Sequence, residues 1–431
     1  MAIRLTNALV INGTGQDPFL GEVWVKDGTI GYVGAITNEP AKGDDEIVDC
    51  TGRTVMPGLV EAHCHISFND LSSMEQAVST QPEDHALISL ANAQMLLQRG
   101  FTSLFSAASA KPRLDVAVRN AIKSGLFRGP RIHAASQEIS PSGNLGDLDN
   151  NYFTYPRNVR FTVTADGPEE FTKAARFAAR DGVDSIKVNV SGDRDWGHMH
   201  ADDTVTVITD RELQAVMDVA NARKLTVATH CTSSQGVKLC VNKGVHVIYH
   251  AVHADEEARD MLEAAKDRVF VAPAVGLPVS MFRRHKEFGL RWSDAKLKSL
   301  EVELETVSHC MSDLRKRGVR VLPGGDYGAF ITNPIGTNAK DLELFVEMFG
   351  FSAMEAIVAA TKQGGELMRK GGRLGQIQTG YCADLLILEG NPIENIRILQ
   401  NQDKLLGVMI EGQFAKRAGC LGEGHRSASL H

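Results

Sequence analysis

The sequence predicts an α/β protein: a (β/α)8 barrel with a small β-sandwich domain built from both chain termini. Three observations carry this expectation. Helical and strand-like stretches alternate through the middle of the chain, the pattern of parallel βαβ units. Eight strand candidates fall within roughly 310 residues, inside the range of about 200 to 400 for such a barrel. Both ends read instead as short strands joined by turns, with no helices between them. The expected boundaries are 1–57 for the first part of the sandwich, 58–371 for the barrel, and 372–431 for the second part and a polar tail.

Taken in order, strands are expected over Ile3–Asn12, Gly21–Lys26, Thr29–Val33 and Glu46–Asp49, with Asp27-Gly28 as a hairpin turn. Pro57 and Gly58 interrupt the chain just before an apolar run that ends in His63-Cys64-His65, the first barrel strand. A helix over Gln81–Arg99 is closed by Gly100 before the strand Phe101–Phe105. The remaining helix and strand pairs are Leu114–Ser124 with Arg131–Ala135, Pro168–Asp181 with Ser185–Val190, and Asp210–Arg223 with Leu225–His230. They continue as Gln235–Lys243 with Val245–His250, Glu256–Lys266 with Val269–Ala272, and Ser293–Arg317 with Val319–Asp326. A helix near Ser352–Leu367 leads into Gly371-Gly372-Arg373-Leu374-Gly375, after which Ala383–Leu388 and Leu405–Ile410 return to strand.

Composition narrows the function classes. Hydrophobic residues at 43% and charged residues at 23% suit a water-soluble enzyme, and no apolar run is long enough for a membrane span. A net charge of -7 argues against a nucleic-acid surface. The first residues lack a charged segment followed by an apolar one, so no secretory signal is expected. Seven scattered cysteines without CxxC spacing fit reduced thiols and a cytoplasmic location. Cys64 and Cys231 each neighbour a candidate ligand, but adjacent strand residues face opposite sides, so both are expected to be buried thiols.

In such a barrel the reactive residues sit at the C-terminal ends of strands. The first strand ends in His63 and His65, which point the same way because strand side chains repeat every two residues. Neutral imidazole is the commonest side-chain metal ligand, and two converging from one strand make half of a metal site. The fourth strand carries Lys187 within an apolar run, where an unpaired ammonium is costly. The fifth and sixth end in His230 and His250. The eighth ends in Asp326 after Gly324 and Gly325, which let backbone approach closely. Ordinary polar strand ends do not account for ligand-type residues on all five of these strands.

These residues resemble the metal-dependent amidohydrolase superfamily. Its pattern is His-x-His on strand one, a carboxylated lysine or acidic residue on strand four, histidines on strands five and six, and an aspartate on strand eight. The entry Pro57-Gly58-Leu59-Val60-Glu61-Ala62-His63, and the closing Ala383-Asp384-Leu385 with Gly390-Asn391-Pro392, are similar to the family as well. The resemblance implies that His63, His65 and Asp326 hold one divalent metal, that His230 and His250 hold a second, and that Lys187 bridges both as a carbamate. Zinc is expected ahead of manganese or iron. Carbamylation converts an ammonium, which cannot bridge two cations, into an anionic oxygen ligand. Asn189, two residues along from Lys187, keeps a one-metal site open as an alternative.

A hydroxide held by the metals would attack a carbonyl that one of them polarises, and Asp326 would move its proton to the leaving nitrogen. Within the superfamily, Gly129-Pro130-Arg131-Ile132, Gly182–Lys187 and Ser191-Gly192 resemble a branch of imidazolonepropionase-like proteins, prolidase-type dipeptidases, ochratoxin-type amidases, and molinate and phenylurea hydrolases. The chain departs from that branch at Tyr249, where many members have Glu, and at Ser142–Asp147, where many read Gly-Gly-His-Gly-Asp. The expected activity is hydrolysis of an amide, carbamate or urea C–N bond in a small N-acyl or aryl compound. A dipeptidase is the second reading, and a non-catalytic scaffold a remote third. Candidate substrate contacts are Trp196 and His198 on the loop after strand four, either a lid or plain surface, together with Tyr249, which either donates to a carbonyl or packs, and His253. A homo-oligomer is expected from the branch and from the aliphatic C-terminal strands.

Overall fold

Strands buried on both faces need helices on either side, and the parallel part of this protein is built from such strands. Ala135–Ser140, Ser185–Asn189 and Thr226–Cys231 are buried at every position. A computed structural model describes residues 2–37, 39, 43–149, 152–156, 159–193, 202–369 and 372–421. It divides into two compact units: Met1–Val60 with Leu96–Ser103 and Ala353–His431, and Glu61–Met95 with Leu104–Ser352.

The first unit contains an eight-stranded sheet drawn from both ends of the chain. Ile3–Val10 lies at its centre, antiparallel to Phe19–Lys26 and parallel to Glu46–Asp49 and Arg53–Pro57. The C-terminal strand Leu385–Glu389 joins through Arg53–Pro57, followed by Leu405–Ile410 and Gln413–Arg417. Alternate residues on these strands, including Leu5, Val23, Val48, Val55, Leu385, Ile387 and Met409, meet in one apolar core. The last strand, Gln413–Arg417, has no buried position, so its sequence carries no apolar alternation to announce it.

The second unit holds a seven-stranded sheet in which every pairing is parallel. Its order is Thr162–Thr164, Ala135–Ser140, Ser185–Asn189, Thr226–Cys231, Val247–His250, Phe270–Ala272 and Arg320–Val321. Leu59–Cys64, Phe101–Ser106 and Arg131–His133 form a separate three-stranded sheet. Helix starts follow from local chemistry. Thr209 accepts the N–H of Glu212, and Glu212 accepts the N–H of Thr209 at 2.7 Å; this capping box ahead of helix Asp210–Arg223 contributes about 1 kcal/mol.

Two strand expectations change. The third strand does not stop at Ala135; after a break at Ala134 it resumes as Ala135–Ser140, buried at every position and paired in parallel with Ser185–Asn189 and Thr162–Thr164. The strand expected over Val319–Asp326 is confined to Arg320–Val321. Pro323 has no N–H for the ladder, and the two glycines and Asp326 after it form a loop.

Candidate metal centre

Five loops or strand ends bring one set of side chains together. His63, His65, Lys187, His230, His250 and Asp326 line a single cavity, together with Glu138, Asp193, Phe68, Phe161 and Leu277. Ligand atoms of His63, His250 and Asp326 lie within 4.8 Å of one another. The rings of His63 and His65 are 5.1 Å apart, those of His63 and His250 5.4 Å, and those of His230 and His250 4.4 Å.

Backbone geometry aims two of these groups. His250 and Asp326 both have left-handed φ, +72° and +62°, a conformation that non-glycine residues adopt at a cost and that clusters at functional sites. Glycine removes an obstacle in the loop that leads to Asp326: a Cβ on Gly324 would lie 2.6 Å from the His63 backbone nitrogen.

The polar atoms are left short of partners. Asp326 Oδ1 lies 2.9 Å from His65 Nε2 and 3.4 Å from His63 Nε2, yet accepts no hydrogen bond. The Nδ1 atoms of His63 and His65 are likewise buried without a partner. Buried polar groups are ordinarily satisfied, so rings and a carboxylate that crowd one point without bonding to each other fit a shared cation.

Electrostatics agree with that fit. Burial, reinforced by the neighbouring histidines and Lys187, pushes His63 and His250 well below the usual imidazole range. Burial and then Lys187 bring His230 down to about 4. These three imidazoles are therefore neutral near pH 7, the form that binds metal. Burial also lowers the Lys187 ammonium, against the opposing pull of Glu138 and Asp326.

Other expected contacts fall differently. Tyr249 is fully buried with its ring 3.9 Å from that of His63 and Lys187 Nζ 4.7 Å above it, and its hydroxyl has no hydrogen-bond partner. His253 Nε2 pairs with Asp203 at 3.0 Å, and Asp203 lines an adjoining cavity with His250 and Asp326. Trp196 and His198 lie outside the described residues. Cys64 and Cys231 are buried free thiols, as their strand positions require.

Sequence reasoning missed Glu138. It stands beside Lys187 in register on the neighbouring strand, with Oε1 3.8 Å from Nζ and Oε2 accepting from Asn189 at 2.9 Å. A carboxylate inside a strand is a usable signal, obscured because the sequence pattern ends the third strand at Ala135. Glu61 and Asp341, both buried behind the centre, were missed as well.

Residues 54–415 match the sequence profile of the Amidohydrolase family. The chain belongs to the amidohydrolase family. This amidohydrolase is 27% identical over 436 residues to an ochratoxinase from Aspergillus niger, covering 95% of this chain and 86% of that one. It is 23% identical over 416 residues to an imidazolonepropionase from Sphingopyxis alaskensis, covering 91% and 93%. Among solved structures, a Xaa-Pro dipeptidase with bound methionine superposes with a TM-score of 0.83 at 25% identity, covering 96% and 99%. A. niger ochratoxinase, at 23% identity and a TM-score of 0.82, shares the fold over 99% and 98%. The amidohydrolase is thus a hydrolase acting on amide or related C–N bonds, of a metal-dependent family, and it carries the His63, His250 and Asp326 cluster. No helix among its described residues is long and apolar enough to cross a membrane.

Proposed function

We propose that this amidohydrolase cleaves the C–N bond of a small N-acyl, carbamate or urea compound with an apolar arm. The observation that carries the reading is the convergence of His63, His65, Lys187, His230, His250 and Asp326 on one cavity. His63, His65 and Asp326 are assigned to one metal, His230 and His250 to a second, and Lys187, as a carbamate, to both. Zinc is preferred over manganese or iron, and a one-metal site remains the alternative. When bound, the metal activates water and polarises a carbonyl. Asp326, held at the mouth of the cluster, accepts a proton and returns it to the leaving nitrogen.

The adjoining cavity supports the substrate class. Val252, Pro273, Leu277, Pro278, Met281 and Val307 give it an apolar wall, while its charged lining residues are Asp193, Asp203, Glu303 and Asp326. No lysine or arginine is among the described residues that line it. The charges among the described lining residues are thus acidic, which supports neutral amides and ureas ahead of dipeptides. His253 enters this site through Asp203; Tyr249 backs His63, and Trp196 and His198 are retained as lid candidates.

The barrel reading is supported by the Ala62 N–H, which donates to the Pro323 carbonyl at 3.2 Å, linking the first strand to the last. The Ser109 N–H donates to Ser136 at 2.9 Å, joining the second strand's end to the third. The sheet built from both termini is read as the small sandwich. Seven free cysteines fit the cytoplasm, and a homo-oligomer is the expected assembly. Screening anilides, ureas, carbamates and dipeptides with zinc-, manganese- and iron-loaded protein tests the proposal; preferential release of a C-terminal amino acid from dipeptides would replace it with the dipeptidase reading.

A further inference from the structure

Behind the cluster, one short segment reaches both the strand that carries His63 and the loop that carries Asp326. Asn338 Nδ2 donates to Glu61 Oε2 at 2.8 Å, and Glu61 Oε1 accepts the backbone N–H of His63 at 3.2 Å. Three residues on, Asp341 Oδ2 accepts the N–H of Gly324 at 2.9 Å, and Asp341 Oδ1 accepts the Tyr327 hydroxyl at 3.0 Å. The two arms are tied to each other, since the Asp341 N–H donates to the Asn338 carbonyl at 3.1 Å. Glu61, Asn338, Asp341 and Tyr327 are all at most 1% exposed, so none of these bonds is shared with bulk water.

Asp341 therefore grips the chain on both sides of Asp326, the residue with left-handed φ. The fit leaves no slack. A Cβ on Gly325 would lie 2.3 Å from Asp341 Oδ1, and Asn333 Nδ2 holds the Gly325 carbonyl from another side at 2.8 Å. We propose that Asn338 and Asp341 are positioning residues that set the separation of His63 and Asp326, and so the affinity of the centre for its metal. The inference rests on the assignment of those two residues as ligands. It assigns a function to buried polar groups that make no contact with the ligand atoms themselves, as supporting hydrogen bonds around metal ligands commonly do.

The test is a double-mutant cycle read as metal affinity by competition with a chelator, alongside thermal unfolding of the metal-free protein. D341A is expected to weaken metal binding by about 10–100-fold while unfolding stays cooperative. In a D326A background the same change is expected to alter affinity less than about 2-fold, because its effect passes through Asp326. D341N keeps an oxygen for the Gly324 N–H and is expected to recover most of the affinity. Should D341A fail to fold, Tyr327→Phe removes one of the two bonds, keeps the ring, and is expected to show the same coupling at smaller size. Equal losses in both backgrounds, or wild-type affinity in D341A, would overturn the proposal. If D326A by itself binds metal normally, the ligand assignment has failed instead. The proposal then stands or falls on N338A, whose loss of affinity must vanish in an H63A background.

Discussion

Lys187 and Glu138 face each other across neighbouring parallel strands, with Nζ 3.8 Å from Oε1. A carbamate on Lys187 would place a second anion beside Glu138, a repulsion that bound divalent cations must offset. Glu138→Gln removes one of the two charges. Its half-activation by bicarbonate in the presence of metal should therefore fall to a lower concentration than in the wild type. Carbon-13 bicarbonate should label a carbamate in the wild type and not in Lys187→Ala. Absence of that label from the metal-loaded wild type would favour the one-metal alternative.

His63→Ala, His65→Ala and His250→Ala should each lose most bound metal and activity. Their metal-free forms should remain folded, since these rings serve the centre and not the apolar core. Elemental analysis with circular dichroism checks both halves, and undiminished activity in any of the three would remove that residue from the assignment.

Asp326→Asn separates proton transfer from binding. An amide oxygen still ligates, so much of the metal should stay, while the rate should fall by the ~10²–10⁴-fold characteristic of acid–base groups. Near-normal turnover with full metal content would assign the proton to another group, with His253 the next to examine.

Burial raises the Asp341 carboxyl to about 7, and the nearby Asp326 charge adds to the shift. Between pH 4 and 7 the folded protein thus keeps a proton that the unfolded chain has released, and this group's contribution to stability falls as pH rises through that window. D341N has no such dependence. Relative to wild type, the metal-free variant should gain stability from pH 4 to 7 and level off above. Urea denaturation across that range measures the difference. His230, brought down to about 4, acts in the opposite direction and cancels in the comparison.

The sequence alone singles out His63, His65, Lys187, His230, His250 and Asp326, the side chains that the structure brings to one cavity. Each terminates or interrupts an apolar run, and a strand's period of two makes the direction of the side chain legible without coordinates. The helix and strand alternation was legible for the same reason, because burial on regular elements writes a period into the chain. Glu138, Glu61 and Asp341 left no comparable mark. Their roles depend on residues distant in sequence: Glu138 on Lys187, Glu61 on Asn338, and Asp341 on Gly324 and Tyr327. Only the tertiary structure decides such pairings, because a buried carboxylate is defined by whatever donors the fold brings to it, and no local pattern encodes which ones those are.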